Sequence, residues 1–259
     1  TWNPFFAERV GESAVGRTNL AFDLLDDWSI HFAFQGIRRE VERAYAAAFD
    51  TAKLVTANAE GTLALAHRYG RTDAVLLLNG TDPERFSTIS RATGGPTIGY
   101  VGKIGRRVDL DLIVASAHSL PTATFVFAGP ILDSEYRRPL ERLPNVRLLG
   151  DVHYDDVPAL LETFDLGWVP HRVGEGEVGG DVIKTYEYRA AGLPVLSTPV
   201  AGVTKRGLSG VTVLEAASHA EWLVNKFDRS PRLQRSPEAI PTEMTWKHKA
   251  KVILDGLGV

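Results

Sequence analysis

The sequence predicts an α/β protein with one complete doubly wound domain preceded by part of a second. Three observations carry this. Short apolar runs of strand length alternate with helix-period segments, and the alternation becomes regular from Thr97 to Leu214. Glycine or proline recurs where these runs end, which permits close backbone approach. The composition is that of a folded chain: 259 residues, 44% hydrophobic and 24% charged. That is too apolar for general disorder, and no apolar run nears the roughly 20 residues of a membrane-spanning helix.

Residues 1–22 read as irregular, with Trp2, Phe5, Phe6 and Phe22 among them and the first strand expected at Leu20–Leu25. A helical pattern follows at Gly36–Phe49, then a strand at Lys53–Ala57, a helix at Glu60–Tyr69 and a strand at Ala74–Leu78. This is the start of a parallel crossover arrangement. Asn79-Gly80-Thr81-Asp82-Pro83 through Gly94-Gly95-Pro96 is rich in turn formers and reads as a linker. Six strands are expected beyond it, at Thr97–Gly102, Thr124–Ala128, Val146–Leu149, Leu166–Pro170, Pro194–Thr198 and Val211–Leu214. Helical patterns separate them at Leu110–Ser119, Glu135–Arg142, Val157–Phe164 and Val182–Ala191, with another at His219–Arg229. The last helix, Glu243–Leu257, follows a stretch containing Pro231, Pro237 and Pro241. The expected boundaries are 1–82 for the partial first domain, 83–242 for the complete one, and 243–259 for a terminal helix packing back on the first.

Charge and cysteine content exclude several function classes. A net charge of −3 argues against nucleic-acid binding by bulk charge. With no cysteine there is no disulfide, thiolate metal site or cysteine nucleophile. The start carries no signal-peptide pattern, so a soluble, cytoplasmic protein is expected. No basic amphipathic helix is strong enough to mark a membrane surface, and association with one stays open.

Ligands of open parallel sheets gather beyond the carboxyl ends of the strands. The first exit of the complete domain, Gly102-Lys103-Ile104-Gly105-Arg106-Arg107, combines three cations with two glycines. That suits a phosphate-bearing ligand, or equally a solvated basic turn. Neither a dinucleotide fingerprint nor a Walker pattern is present. The fourth exit is glycine-rich from Gly174 to Gly180 and leads into a helix, an arrangement that presents free N–H groups to diphosphate or sugar oxygens. Its acids Glu175, Glu177 and Asp181 suit sugar hydroxyls, or Asp181 caps the helix. Lys184 and Glu187 share one face of that helix among apolar neighbours, so their charges need partners. His153 and His171 follow strands and could touch substrate, but they lack metal-ligand spacing, and no metal site is expected. Asp26-Asp27 reads as capping or structural.

The string Lys184-Thr-Tyr-Glu-Tyr-Arg-Ala-Ala-Gly-Leu-Pro-Val-Leu-Ser-Thr198 resembles the donor-site helix and strand of GT-B glycosyltransferases, above all the large retaining group called family four. Further landmarks follow in family order: Asn79-Gly80-Thr81-Asp82 with Phe86, Gly99-Tyr100-Val101-Gly102, Phe127-Ala128-Gly129-Pro130, Leu148-Leu149-Gly150, Tyr154 and Phe164-Asp165-Leu166-Gly167. The resemblance implies a GT-B-like chain with a complete Rossmann-like domain after part of another, lacking the first part of the N-terminal domain. It implies metal-independent transfer of a sugar from a nucleotide diphosphate donor (UDP or GDP) to an unknown acceptor, with retention of configuration. The donor is a substrate, and no cofactor is implied. By the same resemblance Lys103, Arg107, Gly179 and Gly180 hold the diphosphate, and Glu187 holds the ribose. Val152, His153 and Tyr154 lie near the base, and Glu177, Asp181 and Lys184 near the sugar. One departure stands out: the first glutamate of the family's Glu-x7-Glu motif falls on Gly179. No catalytic base is assigned. The alternative is a non-catalytic nucleotide- or sugar-binding module, and the resemblance leaves open whether this chain turns over by itself.

Overall fold

The computed structural model describes residues 1–13, 18–174 and 180–259. In chain order the regular elements begin with α1 (Pro4–Ser13), β1 (Thr18–Leu24), α2 (Arg38–Thr51), β2 (Ala52–Ala57), α3 (Glu60–Arg68) and β3 (Val75–Leu76). Next come β4 (Thr97–Val101), α4 (Leu110–Ser119), β5 (Thr124–Ala128), α5 (Arg137–Glu141), β6 (Val146–Gly150), α6 (Val157–Leu161) and β7 (Leu166–Val169). The series ends with α7 (Ile183–Ala190), β8 (Val195–Ser197), β9 (Val211–Val213), α8 (Ala216–Phe227) and α9 (Trp246–Leu257). They form two compact units: one of Thr1–Thr81, Gly174–Val182 and Pro241–Val259, the other of Asp82–Val173 and Ile183–Ile240.

The first unit holds a three-stranded parallel sheet in the order β1-β2-β3. Its core is Phe22, Leu24, Val41, Tyr45, Phe49, Val55 and Leu65. Helix α1 corrects the expectation of an irregular start. The Asn3 side-chain oxygen accepts the backbone N–H groups of Phe5 (3.0 Å) and Phe6 (3.3 Å). Pro4 supplies the first helical residue, so Asn-Pro is a helix-start signal that the aromatic-rich reading passed over. The single pattern expected at Gly36–Phe49 is a 3-10 turn at Phe32–Ile37 running into α2.

Helix α9 lies beside β1 and β2 of this unit. Its Lys249 is buried, with Nζ 2.9 Å from Asp23 Oδ2 and donating to the carbonyl of Leu77 and Oδ1 of Asn79 (3.4 Å each). Asp23 also accepts the Thr56 hydroxyl at 2.7 Å. The end of β1 and the segment after β3 therefore meet on one ammonium group, and β2 joins them through the Thr56–Asp23 bond.

The second unit is a six-stranded parallel sheet in the order β6-β5-β4-β7-β8-β9. Its core includes Ile98, Phe125, Phe127, Trp168, Leu196 and Leu223. Strand order reverses between β4 and β7, because the chain runs outward through β5 and β6 and then returns to the other side of β4. Two glycines let neighbours pack tightly against this centre. A Cβ at Gly99 would lie 2.0 Å from the Phe164 ring, and one at Gly167 would lie 2.3 Å from Tyr188. Gly99→Ala is expected to lower stability by about 1–3 kcal/mol, as overpacking of a filled core does, read as a lower urea midpoint at unchanged slope. An unchanged midpoint would mean that Phe164 moves aside freely.

Candidate functional site at the strand exits of the second unit

The switch point puts the exits of β4 and β7 side by side, and backbone hydrogen bonds join the two loops. Asp109 N–H donates to the Pro170 carbonyl and Arg172 N–H to the Arg107 carbonyl, 2.8 Å each. At the β4 exit Gly102 has φ +144°, and its N–H donates to the Ala128 carbonyl at the end of β5. Gly129, also at φ +144°, approaches so closely that a Cβ on it would lie 2.1 Å from the Gly102 carbonyl oxygen. Both positions require glycine, through conformation and through space.

Helix α7 aims its first turns at this point. The Tyr188 hydroxyl accepts the Val101 N–H at 2.8 Å, fixing the helix to the end of β4. Half-buried Lys184 places its Nζ 3.5 Å from Nε2 of His171 and 5.1 Å from the centre of the Tyr100 ring. A Cβ on Gly102 would stand 3.2 Å from Lys184 Cε. The Tyr100 hydroxyl donates to the Lys103 carbonyl at 2.8 Å and stands 3.5 Å from the same His171 nitrogen.

Burial pulls the Lys184 amine down to about 8; the Glu187 charge opposes this and Arg107 adds to it. His171 is held well below its ordinary value, by burial first and then by the charges of Lys184 and Arg107. Glu187 is buried and its carboxyl is raised by that burial, against a hydrogen bond from Tyr154 and the charges of Lys184 and Arg85. The Tyr154 phenol is pushed up to about 12, by partial burial first and then by Glu187. Arg85 lies over the Tyr154 ring, 4.2 Å from its centre, and binds the Asp155 carboxylate at 2.8 Å. Chemically, this edge of the unit offers a recessed amine, cations on the β4 loop, and a buried carboxylate flanked by a ring. Such a set can hold an anion at one end and a diol at the other.

Of the residues singled out in the sequence, Lys184, Glu187, Tyr154 and Arg107 come together here. Lys103 lies on the same loop with its side chain exposed. Val152 is half-buried, and His153 is exposed and caps the turn Tyr154–Asp156 by accepting the Asp155 N–H at 3.3 Å. Gly180 and Asp181 belong to the first unit, where the Asp181 carboxylate accepts the Asn79 N–H at 3.1 Å and its carbonyl accepts Asn79 Nδ2 at 3.2 Å. Gly179 and Glu177 lie outside the described residues. Asp27 accepts the Ser29 N–H at 2.9 Å and pairs with Arg68 at 3.1 Å. Sequence reasoning passed over Arg85 and the pairing of Tyr100 with His171. Arg85 sits in a segment read only as turn-rich linker, so no periodicity marked it. His171 did carry a signal, its place directly after a strand. Among the described residues, no cluster of three or more His, Asp or Glu is placed to hold a metal ion, and no helix is long and apolar enough to cross a membrane.

Residues 95–229, more than half of the chain, match the family described as glycosyl transferases group 1. The chain belongs to that family. A curated relative, the Bacillus subtilis (strain 168) protein TuaH, is 29% identical over 147 residues, and its name places it as a glycosyltransferase in teichuronic acid biosynthesis. The match covers 52% of this chain and 37% of that relative, so the chain spans well under half of TuaH. Among solved structures, sucrose-phosphate synthase from Thermosynechococcus elongatus superposes with TM-score 0.76 at 14% identity, over 97% of this chain and 70% of that one. Anabaena HepE, solved in complex with UDP-glucose, gives TM-score 0.70 at 20% identity, over 92% of this chain and 72% of that one. At these identities the likeness shows the fold, which is GT-B, with Rossmann-like units built on parallel sheets.

Proposed function

We propose that this chain is the donor-binding part of a glycosyltransferase that takes a sugar from a nucleotide diphosphate sugar, with retention of configuration, for an acceptor that the sequence does not name. The observation that carries the reading is the pairing of Lys184 and Glu187 on α7 at the switch point, one reaching the β4 exit and the other the Tyr154 turn. In this reading the diphosphate meets Lys103 and Arg107, and also Lys184, which the family resemblance puts near the sugar but whose amine lies at the β4 exit beside Gly102 and His171; the ribose hydroxyls donate to Glu187. Val152 to Tyr154 lie along the base. The reacting bond joins the anomeric carbon to the β-phosphate oxygen. As it breaks, negative charge grows on that phosphate, and cations already in place lower the barrier without reorganising. HepE, crystallised with UDP-glucose, supports a nucleotide-sugar donor.

Calorimetry with UDP, GDP and dTDP, set against NAD, tests the reading. Glu187→Ala is expected to weaken the best-bound nucleotide by about 1–3 kcal/mol, the cost of a hydrogen bond to a charged group. Unchanged binding would remove the ribose assignment. A glycine at position 179, where the family's first motif glutamate stands, favours the second reading of a binding module without turnover. Donor hydrolysis followed by NMR separates the two and, through the anomeric signal of the product, reports the stereochemistry.

A further inference from the structure

His171 plays no part in the donor reading above, yet its Nε2 lies 3.5 Å from the amine on which that reading depends. We propose that His171 is a positioning residue that holds the Lys184 amine against the β4 exit, where a donor diphosphate meets it; the inference rests on the nucleotide reading.

The geometry fixes the roles. Nε2 of His171 has two neighbours at 3.5 Å, Lys184 Nζ and the Tyr100 hydroxyl. The Tyr100 proton is committed to the Lys103 carbonyl at 2.8 Å. A protonated amine has donors and no acceptor, so for Nε2 to hold it the nitrogen accepts and the ring proton sits on Nδ1. The backbone holds the ring in place: the Thr198 hydroxyl donates to the His171 carbonyl at 2.8 Å, and His171 bridges to Val108 of the β4 loop. His171 thus gives Lys184 an uncharged acceptor on one side while the Tyr100 face lies on another. Both favour the ammonium without neutralising it, which leaves its charge for an anion. A carboxylate in the place of His171 would pair with the amine and compete with phosphate. The other charged groups acting on Lys184 are Arg107 of the β4 loop and Glu187 of its own helix.

Two measurements test this. In the chain carrying 15N-labelled histidine, the His171 ring is expected to be neutral with its proton on Nδ1, and Lys184→Met is expected to shift the Nε2 signal. A ring protonated on Nε2 overturns the proposal without any variant of His171. The second measurement is the affinity for UDP and GDP against pH. Affinity for whichever binds is expected to fall above the amine value of about 8 in the parent protein. His171→Leu removes the acceptor, so the fall should begin at lower pH and binding at neutral pH should weaken roughly tenfold, the scale of a hydrogen bond to a charged group. His171→Gln, which keeps an acceptor, should hold the parent profile. In the Lys184→Met background His171→Leu should change nothing further; additive losses overturn the positioning role. If the parent binds neither nucleotide, the donor reading itself fails, an outcome distinct from normal binding with an unmoved profile, which overturns only the role of His171.

Discussion

Lys249→Met is expected to destabilise the first unit by about 3–5 kcal/mol, the loss seen when one partner of a buried ion pair is removed and the other stays. The side chains of Lys249 and Asp23 are 6% and 18% exposed, so water cannot replace the lost partner freely. Methionine keeps the length and apolar stem of lysine, so the loss would come from the charge and not from a cavity. Asp23 would retain the Thr56 hydroxyl, while the Leu77 carbonyl and the Asn79 side chain would each lose a donor. Urea unfolding followed by circular dichroism reads the effect. Replacing Asp23 by Leu and Thr56 by Val in the same chain should recover a large part of the loss, because no buried charge is then left alone. If the triple variant is no better than the single one, unpaired charge is not the cause.

Lys184 gives the second large effect, and it has a distinctive pH signature. The amine sits at about 8 in the empty site, against an ordinary value of 10.5. A bound diphosphate favours the ammonium and returns it toward the ordinary value, so the protonated form is the one that binds. Nucleotide affinity should therefore be level below about 8 and fall up to tenfold per pH unit above it, with proton uptake on binding near pH 8. Calorimetry in buffers of different ionisation enthalpy measures that uptake. Lys184→Met should abolish it and weaken binding by about 2 kcal/mol or more, as loss of one partner of a desolvated charge pair does. Stability of the empty protein runs the other way. Its folded value is depressed, so between about 8 and 10.5 the unfolded chain holds more protons and the folded state gains as pH rises. At the acid end Glu187, raised by burial, should lose its charge above the ordinary carboxyl range, and ribose binding should weaken as pH falls through that value. A flat profile from pH 7 to 10 would remove Lys184 from the site.

The elements were legible wherever burial imposed a period. Leu110–Ser119 and Thr124–Ala128 were read with the bounds they have, because apolar side chains recur there at the spacing of a helix face or a doubly buried strand. The first thirteen residues were not legible that way. There the aromatics Trp2, Phe5 and Phe6 serve a helix whose start is set by the Asn3 cap, a local hydrogen bond and not a periodicity. In the site, Glu187 and Lys184 stood out as charges on an apolar helix, whereas Arg85 and the His171–Tyr100–Lys184 contacts join segments distant in sequence.

The sequence by itself determined that this is a parallel α/β chain of the group 1 glycosyltransferases, since strand period, glycine exits and the Lys184–Thr198 string are local properties of neighbouring residues. Only the tertiary structure decided that β7 returns beside β4, that its exit delivers His171 to Lys184, and that Asp181 bonds to Asn79. Strand order and ring contacts depend on which distant segments bury one another, and no spacing along the chain encodes that choice.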